Sequence, residues 1–254
     1  MESIEILNGL LTTTFVFITF FVGIKIALKY RDSKDKLYLW MGISWILMVQ
    51  PYWPAVFSFL LNLFTFSLVT NSILPDLRIY LMFEIFVPFS LTFGVLSITE
   101  FILVDYRKQV IIFFNIWAVI FQILLLYMLV VDPTMIGVLN GYIDIEYSFF
   151  TKMLVLFMLG AIYLLGILFA RESFKSPDPN IKRKGKILLI AFILYPTGVL
   201  MDTQIPNNSF DLFQLLTSRI ILIASSITFL LGFLLPKFLR VKDVPSGERA
   251  EIDG

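Results

Sequence analysis

FFTKMLVLFMLGAIYLLGILFA, residues 149–170, followed at once by RESFKSPDPNIKRKGK, residues 171–186, decides the class of fold. The first segment runs for 22 residues with one charge, Lys152, near its start. A hydrocarbon core of ~30 Å is crossed by about 20 apolar helical residues, and only a helix or a closed barrel satisfies the backbone inside it. The second segment holds six basic residues, Arg171, Lys175, Lys182, Arg183, Lys184 and Lys186. Connections rich in Lys and Arg stay on the cytoplasmic side. A spanning helix that ends on the cytoplasmic face is the direct reading.

Six more segments of the same kind lie outward from it: Ile6 to Leu28, Leu37 to Leu60, Leu77 to Val104, Val110 to Val131, Ile187 to Met201, and Leu212 to Leu235. Every second connection is basic. Lys29, Arg31, Lys34 and Lys36 follow the first segment, Arg107 and Lys108 the third, and Lys237, Arg240, Lys242 and Arg249 the last. The connections between, and the N-terminus, hold no Lys or Arg. The sequence therefore predicts an all-α, seven-transmembrane helical bundle in the cell membrane, with the N-terminus outside and the C-terminus cytoplasmic. Residues 1–240 form the transmembrane domain and 241–254 a cytoplasmic tail. Met1 to Glu5 carries two acidic and no basic residues, so the first helix reads as retained rather than as a cleaved leader.

The composition agrees. At 58% hydrophobic and 15% charged residues, the chain has more apolar surface than one soluble core hides, and a lipid bilayer must cover the rest. Cysteine and histidine are both absent, which removes thiolate nucleophiles, His general bases and Cys or His metal sites. No enzyme activity, metal or cofactor is expected.

The first and last three helices suggest two three-helix repeats joined by a linker helix. Gly23-Ile24 and Gly166-Ile167 each precede a basic connection, Pro51 and Pro196 fall in the second helix of each triplet, and Arg78-Ile79 and Arg219-Ile220 lie early in the third. Glycine and arginine are 55 residues apart in one half and 53 in the other.

Ionisable side chains inside a bilayer need a partner, water or an interface. Arg78, Glu84, Asp202 and Arg219, with Lys152, fall toward the outer ends of helices 3, 5, 6 and 7. In one reading they form a ligand-binding pocket, where Arg78 and Arg219 hold a small anionic group while Glu84 and Asp202 orient the guanidinium groups. In the other, the carboxylates neutralise the arginines and hold the bundle together. Pro51, Pro54, Pro88 and Pro196 are candidate hinges or plain packing kinks. Lys182, Arg183 and Lys184 offer a docking site for a cytoplasmic partner or lipid headgroups, although topology alone accounts for basic residues there. Asn115 and Gln122 read as interhelical hydrogen-bond donors. The sequon Asn207-Asn208-Ser209 falls on the outer side.

Ala170 to Ser176, Lys184 to Phe192, Trp45 with Gln50 to Pro54, and Arg219 to Pro236 resemble a pattern in uncharacterised archaeal seven-helix membrane proteins. The layout is also similar to the seven-helix sensor regions that precede histidine kinases. About 19 residues follow helix 7, too few for a kinase domain, so the resemblance implies a sensor that signals to a separate protein. Small sugar transporters built from two three-helix repeats are similar in layout as well. A retinal Schiff base is not expected, because Leu212 to Leu235 contains no lysine. The functional expectation is a receptor-like sensor, with a small-solute transporter or a structural subunit of a membrane complex as alternatives.

Overall fold

The computed structural model describes residues 3–66, 76–100, 102–203 and 212–235. Asn207, the basic residues from Lys237 onward and the 241–254 tail lie outside the described residues. Among the described residues there are nine α-helices: α1 (Ser3–Ser33), α2 (Lys36–Met48), α3 (Trp53–Phe66), α4 (Leu77–Met82), α5 (Val87–Ile98), α6 (Arg107–Val131), α7 (Phe149–Lys175), α8 (Pro179–Thr203) and α9 (Leu212–Leu234). They make seven segments long and apolar enough to cross a membrane, with α2 and α3 forming the second and α4 and α5 the third. The bundle is a multi-pass membrane protein in its helix lengths and composition.

Both composite spans break at proline. A helical Pro51 would clash with the Leu47 carbonyl and has no N–H to donate, so the chain passes through a 3₁₀ turn, Gln50–Tyr52. There the Tyr52 N–H bonds the Val49 carbonyl at 3.0 Å, which leaves the Met48 carbonyl without its α-helical donor. The Tyr195 hydroxyl of α8 donates to it at 2.9 Å. Pro54 is the second residue of α3, where a missing N–H costs little. Pro88 opens α5 in the same way; the Glu84 carbonyl, which Pro88 cannot reach, accepts from Val87 N–H at 3.2 Å. Pro196 sits inside an unbroken α8.

Helix α2 packs against α1 and α5, α8 packs against α7 and α9, and α1 closes the ring against α9. Polar contacts cross these seams: Thr19 to Ser226 at 2.8 Å, and the Ser44 hydroxyl to the Ser90 carbonyl at 2.7 Å. Asparagine 115 departs from expectation, donating within its own helix to the Ile111 carbonyl, while the buried Gln122 amide has no partner among the described residues. Helix α6 is peripheral, and Ile112, Phe113, Ile116, Ile120 and Ile123 stand exposed, the face that lipid covers.

The sequence reading misplaces two features. Helix α8 begins at Pro179 rather than Ile187, so Lys182, Arg183 and Lys184 sit in its first turns instead of in a loop. The connection between α6 and α7 contains an antiparallel hairpin, β1 (Gly137–Asn140) and β2 (Asp144–Tyr147). Gly141 takes φ +81° at its turn, a conformation that glycine adopts at no steric cost.

Candidate functional site

At the hairpin end of the bundle a cavity of about 150 Å³ lies between α1, α3, α7, α8 and α9, with β2 over it. Side-chain hydrogen bonds tie the hairpin to the helices. Ser58 donates to the Tyr142 carbonyl, Tyr80 to the Ile143 carbonyl at 2.8 Å, and Tyr147 to Glu84 Oε2 at 2.8 Å. Ile143 itself packs on Ala55 and Phe59.

Two ionisable groups organise the interior. Arg219, whose side chain is 7% exposed, donates from Nη1 to Asp202 Oδ2 at 2.8 Å and from Nη2 to Asn8 Oδ1 at 3.1 Å. Asn8 Oδ1 also accepts from Thr12 at 3.2 Å. The guanidinium lies 5.2 Å from the Tyr52 ring centroid, a cation–π contact. Glu84 is the second group: it is buried, one oxygen accepts from Tyr147, and Oε1 has no partner among the described residues.

Asp144, on β2, adds another carboxyl to the lining. Burial pushes it up to about 6, and the charge of Asp202 acts in the same direction. Burial and the adjacent Glu84 carboxylate raise the Tyr147 hydroxyl well above its ordinary range, so it remains a donor at neutral pH.

Of the sequence-predicted residues, the structure brings Glu84, Asp202 and Arg219 to one cavity, and Lys152 to its rim. It does not bring Arg78. Asp76 caps α4 by accepting from the backbone of Arg78 and Ile79, which sets Arg78 in the first turn with its side chain exposed. Its charge faces Asp132, whose carboxyl is held below the usual range chiefly by hydrogen bonds from Thr134, with Arg78 contributing. The paired-arginine anion site therefore has one arginine, and that one is already matched by Asp202. Pro51 lines the cavity, whereas Pro54, Pro88 and Pro196 do not.

The chain matches no family model and no curated protein at a significant level of similarity. The site is read from its own geometry. Asn8, Tyr80, Asp144, Tyr147 and Tyr195 are site residues that sequence reasoning passed over. Only the hairpin left a trace, Asn140-Gly141 between apolar residues, a strong short-range turn signal.

The cavity ends against an aromatic layer. Trp45 stacks on Phe229 with centroids 3.6 Å apart and 6° between planes. Phe192 meets Phe229 edge-on, and Tyr195 tilts against Trp45. Trp45, Phe192 and Phe229 are all buried, and none of them lines the cavity.

Proposed function

We propose that this protein is a receptor-like sensor. It binds a small molecule in the hairpin-end cavity and passes the change to a separate protein at its basic end. The observation that carries this reading is the cavity itself: a largely apolar chamber at the hairpin end, holding a buried ion pair and a carboxyl oxygen without a partner among the described residues, beside a packed aromatic layer. Structural ion pairs need no cavity, and a conducting path needs polar residues beyond it. The distribution of Lys and Arg argues that the hairpin end is extracytoplasmic.

Helix α8 connects the two ends. It carries Lys182, Arg183 and Lys184 in its first turns and Asp202 at its far end, so a shift of Asp202 when the cavity fills moves the basic face as part of one rigid element. Two discrete packings of α8, with populations biased by ligand, describe the switch. The break at Pro51 supplies the adjoining wall with a place to bend.

A second reading, a small-solute transporter of two three-helix repeats, draws on one observation. Gly23 lets α1 approach α2, and Gly166 lets α7 approach α8, at corresponding places in the two triplets. Protein-dependent swelling of sealed proteoliposomes in small permeant solutes separates the readings. The receptor reading predicts none, and copurification of a cytoplasmic protein that is lost when Lys182, Arg183 and Lys184 are changed to Gln. Swelling that Glu84→Gln abolishes, with capture unaffected by the basic residues, supports the transporter instead.

A further inference from the structure

We propose that the ligand of this cavity is a small organic cation, an amine of about the size of benzylamine, whose charge meets Glu84 and Asp144. The inference rests on the cavity being a ligand site and deepens that reading by naming the chemical class.

The first observation is the charge of the wall. Glu84, Asp144, Glu146 and Asp202 line the cavity against Lys152 and Arg219. Arg219 is matched by Asp202 at 2.8 Å, and Lys152 is exposed at the rim, which leaves Glu84, Asp144 and Glu146 as further acidic groups on the wall. The second is the unpartnered oxygen. Glu84 is 9% exposed, and its Oε1 has no donor among the described residues. A buried carboxyl oxygen in an apolar bundle is costly until a donor or a positive charge faces it.

The third observation is how the donors are spent. The hydroxyls of Tyr80, Tyr147 and Tyr195 already give their protons to the Ile143 carbonyl, to Glu84 and to the Met48 carbonyl. What they leave to the cavity is ring surface and acceptor oxygen, the surroundings that aromatic cages present to ammonium groups. Arg219 Nε is a buried donor without a partner among the described residues. It belongs to a guanidinium already neutralised by Asp202, so it offers a hydrogen bond without net positive charge. The volume, about 150 Å³, matches cavities that hold benzene.

Asp144 makes the binding pH-dependent. Facing it are Asp202, Glu146 and Tyr80, with Arg219 opposing them. A cation gains an ionised partner as pH rises through about 6.

The test uses the full chain in lipid nanodiscs and three probes of nearly the same shape: benzylammonium, benzyl alcohol and benzoate, measured by calorimetry at neutral pH. Benzylammonium is expected to bind roughly tenfold or more tightly than benzyl alcohol, with benzoate weakest. Glu84→Gln should bring benzylammonium to the level of benzyl alcohol while leaving benzyl alcohol binding intact, which shows that the variant is folded. Asp144→Asn should remove the strengthening near pH 6. Benzyl alcohol or benzoate binding as tightly as benzylammonium overturns the cation assignment and leaves the cavity a ligand site. No binding of any of the three overturns both.

Discussion

An arginine with 7% of its side chain exposed must find its counter-charge inside the bundle, because an unpaired buried charge costs several kcal/mol. Asp202 supplies it across the α8–α9 seam. Asp202→Asn is therefore expected to destabilise the protein by about 3–5 kcal/mol, with the double variant Asp202→Asn/Arg219→Gln recovering part of the loss, read from thermal melts in nanodiscs. Asp144 gives a different signature. Its folded-state value lies above the ordinary 3.8, at about 6, so between those limits the folded chain holds a proton that the unfolded chain has released. Stability conferred by the docked hairpin falls as pH rises through that window. Asp144→Asn should flatten the decline, measured by hydrogen exchange of residues 137–147 against pH. At this scale the Asp202–Arg219 pair was legible, since ionisable residues in apolar helices demand partners. Arg78 was not, because its exposure follows from the Asp76 cap two residues earlier. Asn8, Tyr80, Tyr147 and Tyr195 left no trace, because nothing in the sequence around them marks which side chains the fold turns toward the cavity.

The helices show where local chemistry overrides a hydrophobic run. Hydropathy reads Leu37 to Leu60 and Leu77 to Val104 as continuous, and it located all seven spans. It could not show that Pro51 frees a carbonyl that Tyr195 then satisfies, because the compensating residue is 147 positions away from Met48. The hairpin was missed for a similar reason: strands of four residues give too short an alternation to stand out between long apolar helices. Close approach of α1 and α2 depends on glycine. A Cβ on Gly42 would lie 2.5 Å from the Gly23 carbonyl oxygen and 2.6 Å from Ala27 N, backbone atoms that do not rotate away. Gly42→Val should force the two helices apart, at a cost of about 1–3 kcal/mol, seen as a lowered midpoint in thermal unfolding. The exposed Gly160, whose added Cβ meets nothing within 4 Å, is the control that should tolerate the same change.

Across the whole molecule, lipid and protein divide the apolar surface. The inward faces of α2, α5, α8 and α9 close on Trp45, Leu91, Leu188, Leu222 and Phe229, all fully buried, while α6 turns most of its length outward. The buried carboxyl and guanidinium side chains among the described residues, Glu84 and Arg219, lie at the hairpin end, beside the aromatic layer. That placement is the physical content of the receptor reading: a chamber entered from one side, coupled through α8 to the other. It also explains why charge alternation read along the chain gives a topology yet cannot give a site, since the cavity is assembled from helices distant in sequence and from a hairpin outside the spans.

The chain contains no cysteine, so a single introduced thiol reports without background. Met158 lies on the cavity wall and is 4% exposed. The most direct measurement is the reaction of Met158→Cys in sealed, oriented vesicles with membrane-impermeant methanethiosulfonates carrying either an ammonium or a sulfonate group. Modification is expected from the hairpin side only, faster with the ammonium reagent. Modification from the basic side would contradict it, since it requires a path through the aromatic layer that a one-sided receptor does not have.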